Sequence, residues 1–206
     1  MTTIYDSNKN SGDLIHNFKE KISIIIDWTL TNRLTINWSK TKAMVIFPSK
    51  KFKKKFSPSE LKVDESNSVE FVNEFKLLGV ILDEFLSFDK NYIHVKKNVN
   101  MILNSLAKLF LLPYCTRVHF FKTFIQPHFD YCFSLFVYVS KTLLNRFNRF
   151  FNVCIYRLLK INIHNLNITE QFHVLHEHKL TPFYIRLIER FADFGKKILK
   201  GNILKN

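Results

Sequence analysis

The sequence predicts an α+β fold in which a small antiparallel sheet with one packed helix precedes an all-helical bundle. Short runs rich in β-branched and aromatic residues lie before residue 84, whereas apolar residues recur at helical spacing from about Asp89 onward. Apolar residues are 47% of the 206-residue chain and charged residues 23%, a composition that buries a core. We therefore expect two domains, residues 1–88 and 89–206, joined near residues 84–90.

The first domain is expected to contain one helix and several short strands. Apolar residues from Leu14 to Ile26 recur every three or four positions, which predicts an amphipathic helix over residues 13–30. Gly79 interrupts the last apolar run and indicates a bulge or a close backbone approach, although a plain buried strand explains that run equally well. The lysine-rich stretch 48–60 predicts a solvated loop. The predicted strands are Leu34–Ile36, Lys42–Phe47, Leu61–Val63, Val69–Val72 and Phe75–Asp83, with residues 37–41 as the turn between the first two.

The second domain is expected to be helical throughout. Asp89 is a suitable cap for a helix that continues to Leu112, and Pro113 then ends it. Pro182 is suited to the first turn of the last helix. The later helices are predicted over residues 116–126, 127–138, 141–160, 169–176 and 182–199.

The positive charge of the chain is concentrated in its second part. The whole chain has 31 Lys and Arg against 17 Asp and Glu, a formal net charge of +14. Residues 91–206 hold 17 of these bases and only 5 of the acids, and between Asn91 and Thr169 the only acid is Asp130. This imbalance favours a polyanionic partner, because each neutralised phosphate releases a counterion. Nucleotide bias in the gene also supplies lysines, but it does not explain the loss of acids.

The helix predicted over residues 141–160 carries this charge on one side. At about 100° per residue, its apolar residues share one face and four cations fall within a narrow arc on the other. An ordinary solvated face would include glutamates, and this one has none. The four cations are Arg146, Arg149, Arg157 and Lys160.

Several classes of function are disfavoured by composition. The four glycines are never clustered, which argues against dinucleotide binding and P-loop phosphoryl transfer. Three widely spaced cysteines form no disulfide framework and indicate a reducing compartment. The first residues lack the pattern of a signal peptide, and the longest uncharged apolar run is Tyr131–Ser140. We expect an intracellular protein, nuclear or cytoplasmic, with no membrane partner.

Five segments, in order, carry a family resemblance. WTLTNRLTINWSKTKAMVIF (28–47) resembles a helix followed by Asn-X-X-Lys-Thr and a strand, and SFDKNYIHVKKNVN (87–100) resembles the start of a helical region. FKLLGVILD (75–83) resembles a Phe-X-Leu-Gly-Val strand, with one more residue between Phe75 and Leu78. FKTFIQPHFDYCFSLF (121–136) and LNRFNRFFNVCIYRLL (144–159) match two later helical motifs, the second with Asn148 in place of Gln. Together they resemble the reverse transcriptases of non-LTR (LINE-type) retrotransposons, over nearly the whole chain.

The resemblance implies a role for particular residues. It makes the first domain the end of a polymerase palm and the second a thumb and connection that hold RNA, DNA or an RNA–DNA hybrid. Lys40 matches the motif D lysine, which resembles a general acid, and Leu78 and Gly79 match the primer grip. Lys42, Lys96 and Lys97 are further expected nucleic-acid contacts, together with the four cations of helix 141–160.

The catalytic centre of the family has no counterpart in this sequence. An aromatic-X-Asp-Asp motif would precede the helix at 13–30, and its aspartates would hold the magnesium ions of polymerisation. We therefore expect a truncated reverse transcriptase that binds nucleic acid, requires no cofactor and is inactive alone, with Lys40 vestigial.

Two other interpretations stay open from the sequence. The chain is alternatively a helical protein-interaction module or a non-functional retrotransposon relic. The cluster His173–His178 contains three histidines and Glu177, which would suit a zinc-dependent hydrolase, but the spacing matches no established zinc module.

Overall fold

The computed structural model describes residues 3–8, 11–54, 60–64, 67–105 and 111–199. The chain forms two compact units, residues 1–86 and 87–206, and each is described by itself. The fold is α+β, as the sequence predicted, and no helix among the described residues is both long and apolar enough to cross a bilayer.

The first unit packs helix α1 (Ser11–Thr31) against a three-stranded sheet. The strands β1 (Lys42–Ala43), β2 (Glu60–Lys62) and β3 (Ser68–Phe71) are ordered β1-β3-β2. Ile22 of α1 is buried with one residue from each strand, because the apolar stripe of the helix covers the alternate inward side chains of the sheet. Those three residues are Ala43, Leu61 and Val69.

Two predicted strands differ from the structure. Residues 34–36 form no strand, because the chain turns at Arg33 with φ of 54° and then enters a short 3-10 turn, Trp38–Lys40, capped by the Asn37 side chain. The predicted strand 42–47 is reduced to β1, which pairs with β3 in parallel rather than with 34–36 antiparallel. Beyond it, Phe47 N–H donates to Glu84 C=O at 2.7 Å.

The predicted strand 75–83 is in fact a hairpin. Strands β4 (Glu74–Leu77) and β5 (Val80–Asp83) pair antiparallel, and Leu78 and Gly79 form the two-residue turn between them. Both turn residues have positive φ, 46° and 90°, as a type I′ hairpin turn requires. Gly79 therefore marks a reversal of the chain, and neither the bulge nor the plain buried strand considered for this run is formed. A short helical turn, α2 (Lys50–Lys53), occupies part of the expected lysine-rich loop, whose residues 55–59 lie outside the described residues.

The second unit is a helical bundle with a phenylalanine core. Helix α3 (Asp89–Ser105) starts at Asp89, which is therefore the first helical residue rather than the cap. Its predicted continuation falls partly on residues 106–110, outside the described residues, and residues 111–112 are not α-helical. The later helices include α6 (Lys141–Leu159), α7 (Ile168–Glu177) and α8 (Phe183–Leu199), close to their predicted bounds. The fully buried rings include Phe121, Phe129, Phe151 and Phe183.

The helical break predicted before Pro127 is absent. Helix α4 (Tyr114–Phe120), a π-helical segment (Phe121–Ile125) and α5 (Gln126–Asp130) follow one another without interruption. A proline inside an α-helix clashes with the carbonyl four residues earlier, and the wider π turn relieves that clash. The chain leaves α5 at Cys132, with φ of 52°, and a 3-10 turn (Phe133–Val137) leads to α6.

Candidate nucleic-acid interface

Helices α3 and α6 lie side by side and run in the same direction. Arg146 donates to Asp89 near the start of both helices, and Arg157 donates to Asn100 near their other ends. The two partners of each bond are 57 residues apart, and this constant separation shows that the helices are parallel. Tyr92 of α3 is 7% exposed, and its ring centroid lies 4.9 Å from that of Phe147 in an edge-to-face contact. Burial raises the pKa of Tyr92, against the lowering effect of the Arg146 charge.

Arg157 is held against α3 by two carboxamides. Its Nη1 donates to Asn100 Oδ1 at 3.1 Å and its Nη2 to Asn104 Oδ1 at 2.9 Å. Asn100 and Asn104 are four residues apart and so share one face of α3. Because both acceptors are neutral, the guanidinium keeps its full positive charge while its position is restricted. A guanidinium has five N–H donors, so three remain for an anion.

Arg146 is oriented by a ring and a carboxylate. Its guanidinium carbon lies 4.4 Å from the centroid of the Tyr92 ring, and Nη1 forms an ion pair with Asp89. The Arg146 side chain is 41% exposed. Its charge is thus compensated by Asp89, unlike that of Arg157.

The basic arc predicted on α6 divides into two rows. Arg146 and Arg157 form the inner row and contact α3, whereas Arg149 and Lys160 form the outer row and are exposed. Arg149 forms no hydrogen bond or ion pair with another residue that the structure describes. Lys160 is the C-cap of α6, with φ of 63°, and its Nζ lies 5.6 Å from the centroid of the Tyr156 ring.

The two lysines predicted on α3 border the same surface. Lys96 is exposed, and its Nζ lies 5.9 Å from the centroid of the Phe150 ring on α6. Lys97 is exposed on α3. The structure therefore brings six of the predicted residues onto one pair of helices: Lys96, Lys97, Arg146, Arg149, Arg157 and Lys160. We call this surface the α3–α6 face.

Carboxylates near the α3–α6 face are already paired. From residue 89 to residue 160 the sequence has two acids, Asp89 and Asp130. Asp130 accepts from Arg186 Nε at 2.6 Å, and Arg190 Nη2 lies 3.1 Å from its Oδ2. These ion pairs leave no carboxylate in this part of the chain to neutralise the remaining cations. The face is therefore strongly electropositive.

The other predicted site residues lie in the first unit. Lys40 is the exposed last residue of the 3-10 turn, and Lys42 Nζ forms an ion pair with Glu70 at 2.7 Å. Leu78, which is 72% exposed, and Gly79 form the tip of the β4–β5 hairpin. A groove of about 390 Å³ adjoins Lys42, and its lining includes Trp38, Glu60 and Glu70.

The histidine cluster is spread over different contacts. The rings of His173 and His176 both contact Phe172, whereas the ring of His178 lies 5.3 Å from that of Tyr114 on α4. Among the residues that the structure describes, no three His, Cys, Asp or Glu side chains are grouped as a metal site would require.

Comparisons of the chain with protein-family models, with curated proteins and with solved structures found no match. The reverse-transcriptase resemblance therefore rests on the sequence motifs alone.

The sequence reasoning missed the residues that position the arginines. Tyr92, Asn100 and Asn104 were not singled out, although the four-residue spacing of the two asparagines was a usable signal for one helix face. Tyr156, on the exposed side of α6, was also missed. Which cation faces α3 depends on how the two helices are placed, which no single-helix pattern contains.

Proposed function

We propose that this chain binds nucleic acid through the α3–α6 face, in the manner of a polymerase thumb that holds a template–primer duplex. The single observation that carries the proposal is the fixation of Arg157 by two neutral carboxamides, because it leaves an oriented and uncompensated guanidinium on the surface. A structural arginine would more commonly be neutralised by a carboxylate.

The spacing of the cations suits a sugar–phosphate backbone. Arg146 and Arg157 are eleven residues apart, which is about 16 Å along a helix at 1.5 Å per residue. One strand of a duplex carries a phosphate about every 3.4 Å along the helix axis, so the inner row is long enough to contact several phosphates. Oriented guanidinium groups bind such phosphates through two parallel hydrogen bonds.

The motif resemblance supports the finer assignment to a reverse-transcriptase-like protein. On that assignment, Lys40 and Lys42 and the hairpin tip at Leu78 and Gly79 lie near the primer terminus, and magnesium belongs to catalytic aspartates that this sequence lacks. Binding of RNA, DNA or a hybrid is proposed here, and polymerisation by this chain alone is not.

Salt dependence of binding tests the proposal. Fluorescence anisotropy would measure the affinity of the full chain for a labelled RNA–DNA hybrid over a range of KCl concentrations. We expect log K to fall linearly with log[KCl], and Arg157→Ala to reduce the slope by about one. Lys197→Ala is the charge-matched control, since Lys197 is exposed on α8, and it should leave the slope unchanged.

The same titration distinguishes the alternative class of function. Absent or salt-insensitive binding of the wild-type chain to the hybrid would reject the proposal and favour a protein-interaction module. Equal loss of slope in Lys197→Ala and Arg157→Ala would indicate a diffuse basic surface rather than the α3–α6 face.

A further inference from the structure

An exposed aromatic ring lies within the outer row of α6. Tyr156 is 45% exposed, whereas Tyr92 of α3, whose ring packs against α6, is 7% exposed. The Tyr156 hydroxyl forms no hydrogen bond within the part of the chain that the structure describes. An exposed ring placed between cations is the combination that binding sites for single-stranded nucleic acid use.

The ring is aligned with two cations along the helix. At 100° per residue, Arg149, Tyr156 and Lys160 fall within an arc of about 40°. Along the axis, Tyr156 lies about 10 Å from Arg149 and about 6 Å from Lys160. A cation, an aromatic ring and a second cation therefore follow one another along one exposed side of α6.

The surroundings of the ring are suited to a planar ligand. Lys160 Nζ lies 5.6 Å from the ring centroid, and the His164 ring lies 6.2 Å away at an interplanar angle of 62°. The lysine side chain is long and flexible, so its ammonium can move from the ring to a phosphate while a base takes its place. Bases stack on exposed aromatic rings independently of sequence, while adjacent cations follow the backbone.

We propose that Tyr156 is a stacking platform for an unpaired base, so that the outer row of α6 binds a single-stranded segment that continues from the duplex. This inference rests on the proposed nucleic-acid function and specifies the ligand of that site as a duplex with a single-stranded tail. Bases inside a duplex are already stacked on their neighbours and cannot use this ring.

The test compares two labelled RNA–DNA hybrids, one blunt and one extended by a short unpaired tail, with the full chain. The wild type should bind the tailed hybrid at least about fivefold more tightly, since stacking on an aromatic ring contributes about 1 to 3 kcal/mol per base. Tyr156→Ala should remove that preference and leave the affinity for the blunt hybrid unchanged. Tyr156→Phe should keep the preference, because the ring is retained.

Two further measurements separate stacking from charge. Tyr156→Ala should not change the salt slope measured with the tailed hybrid, whereas Arg149→Ala should reduce that slope. A 2-aminopurine base in the tail should be quenched on binding to the wild type and not on binding to Tyr156→Ala. Tyr138→Ala is the control, because Tyr138 is 77% exposed and precedes the opposite end of α6.

Each outcome bears on the proposal. No preference for the tailed hybrid in the wild type, or a preference that survives Tyr156→Ala, would overturn the stacking role and leave the proposed duplex binding intact. Equal loss of both affinities in Tyr156→Ala would also overturn it. Failure of the wild type to bind either hybrid would overturn both proposals.

Discussion

At the scale of the residue, partners distinguish arginines that look equivalent in the sequence. Arg146 is compensated by Asp89, Arg157 is held by two neutral asparagines, and Arg149 is exposed. A guanidinium held by neutral acceptors is preorganised for an anion, because no carboxylate neutralises its charge and its rotamers are restricted. We therefore expect unequal contributions to binding from the three arginines.

Arg157→Lys should weaken binding although it conserves the charge. A lysine ammonium cannot donate to Asn100 and Asn104 in the planar geometry of the guanidinium, so the cation loses its fixed orientation. We expect a roughly three- to tenfold loss of affinity for an RNA–DNA hybrid, measured by anisotropy, with the salt slope retained. Arg149→Lys should change the affinity by less than twofold. Equal effects of the two substitutions would contradict positioning by the asparagines.

His128 should make the second unit less stable in mild acid. Burial, and then the nearby His94, lower the pKa of His128 in the folded chain. The unfolded chain therefore binds more protons just below the ordinary histidine pKa of about 6.5, and stability falls as the pH decreases through that value. The stability associated with the neutral ring is fully present above it.

The measurement is urea unfolding followed by far-UV circular dichroism at pH 7.5 and pH 5.5, which reports the helices. We expect a lower midpoint at pH 5.5 for the wild type and a smaller difference for His128→Asn. An unchanged pH difference in His128→Asn would contradict the assignment of the pH dependence to His128.

At the scale of the element, backbone geometry explains where the sequence patterns were misread. The run 75–83 has the composition of one buried strand, yet it reverses at Leu78 and Gly79, where both φ angles are positive. Leucine is uncommon at such a turn position, so the usual Asn-Gly signal for a hairpin was missing. The predicted boundary between helices 116–126 and 127–138 is likewise absent, because the π-helical segment before Pro127 allows the helix to continue.

The hairpin should respond oppositely to substitutions at its two turn residues. Gly79→Ala places a side chain at φ of 90° and should destabilise the first unit by about 1 to 2 kcal/mol. Leu78→Asn should stabilise it by several tenths of a kcal/mol to about 1 kcal/mol, because asparagine tolerates positive φ.

Tryptophan fluorescence measures this effect specifically, since both tryptophans of the chain, Trp28 and Trp38, are in the first unit. Urea-unfolding midpoints should increase in the order Gly79→Ala, wild type, Leu78→Asn. A stabilising effect of Gly79→Ala would contradict the type I′ turn.

At the scale of the whole molecule, charge divides between the two units. Residues 91–206 hold 17 bases and 5 acids, and the structure pairs Asp130 with Arg186 and Arg190. The proposed function uses the positive charge of the whole helical unit to attract a polyanion and assigns the contacts to the α3–α6 face. The affinity for nucleic acid should accordingly decrease stepwise as cations of this unit are replaced one after another.

The purified chain should not extend a primer. The sequence has no two adjacent aspartates, whereas the catalytic motif of the family that it resembles ends in Asp-Asp. Two-metal polymerisation needs carboxylates that align both ions with the primer hydroxyl. We expect no dNTP incorporation with Mg²⁺ or Mn²⁺ on a template–primer that the chain binds by anisotropy, with an active reverse transcriptase as the positive control. Measurable incorporation would show that a carboxylate set has been missed.

The sequence by itself determined the fold class, most helices of the second unit and the concentration of positive charge, because hydrophobic period and composition are properties of single segments. Tertiary structure alone decided that β1 pairs with β3, that residues 75–83 fold back as a hairpin, and that the basic arc of α6 divides into two rows. The pairing of β1 with β3 and the division of the basic arc depend on which surfaces meet, and the hairpin depends on positive φ at Leu78 and Gly79, which a Leu-Gly pair does not signal. Arg157 and Asn100 are 57 residues apart in the chain, and no local pattern encodes their contact.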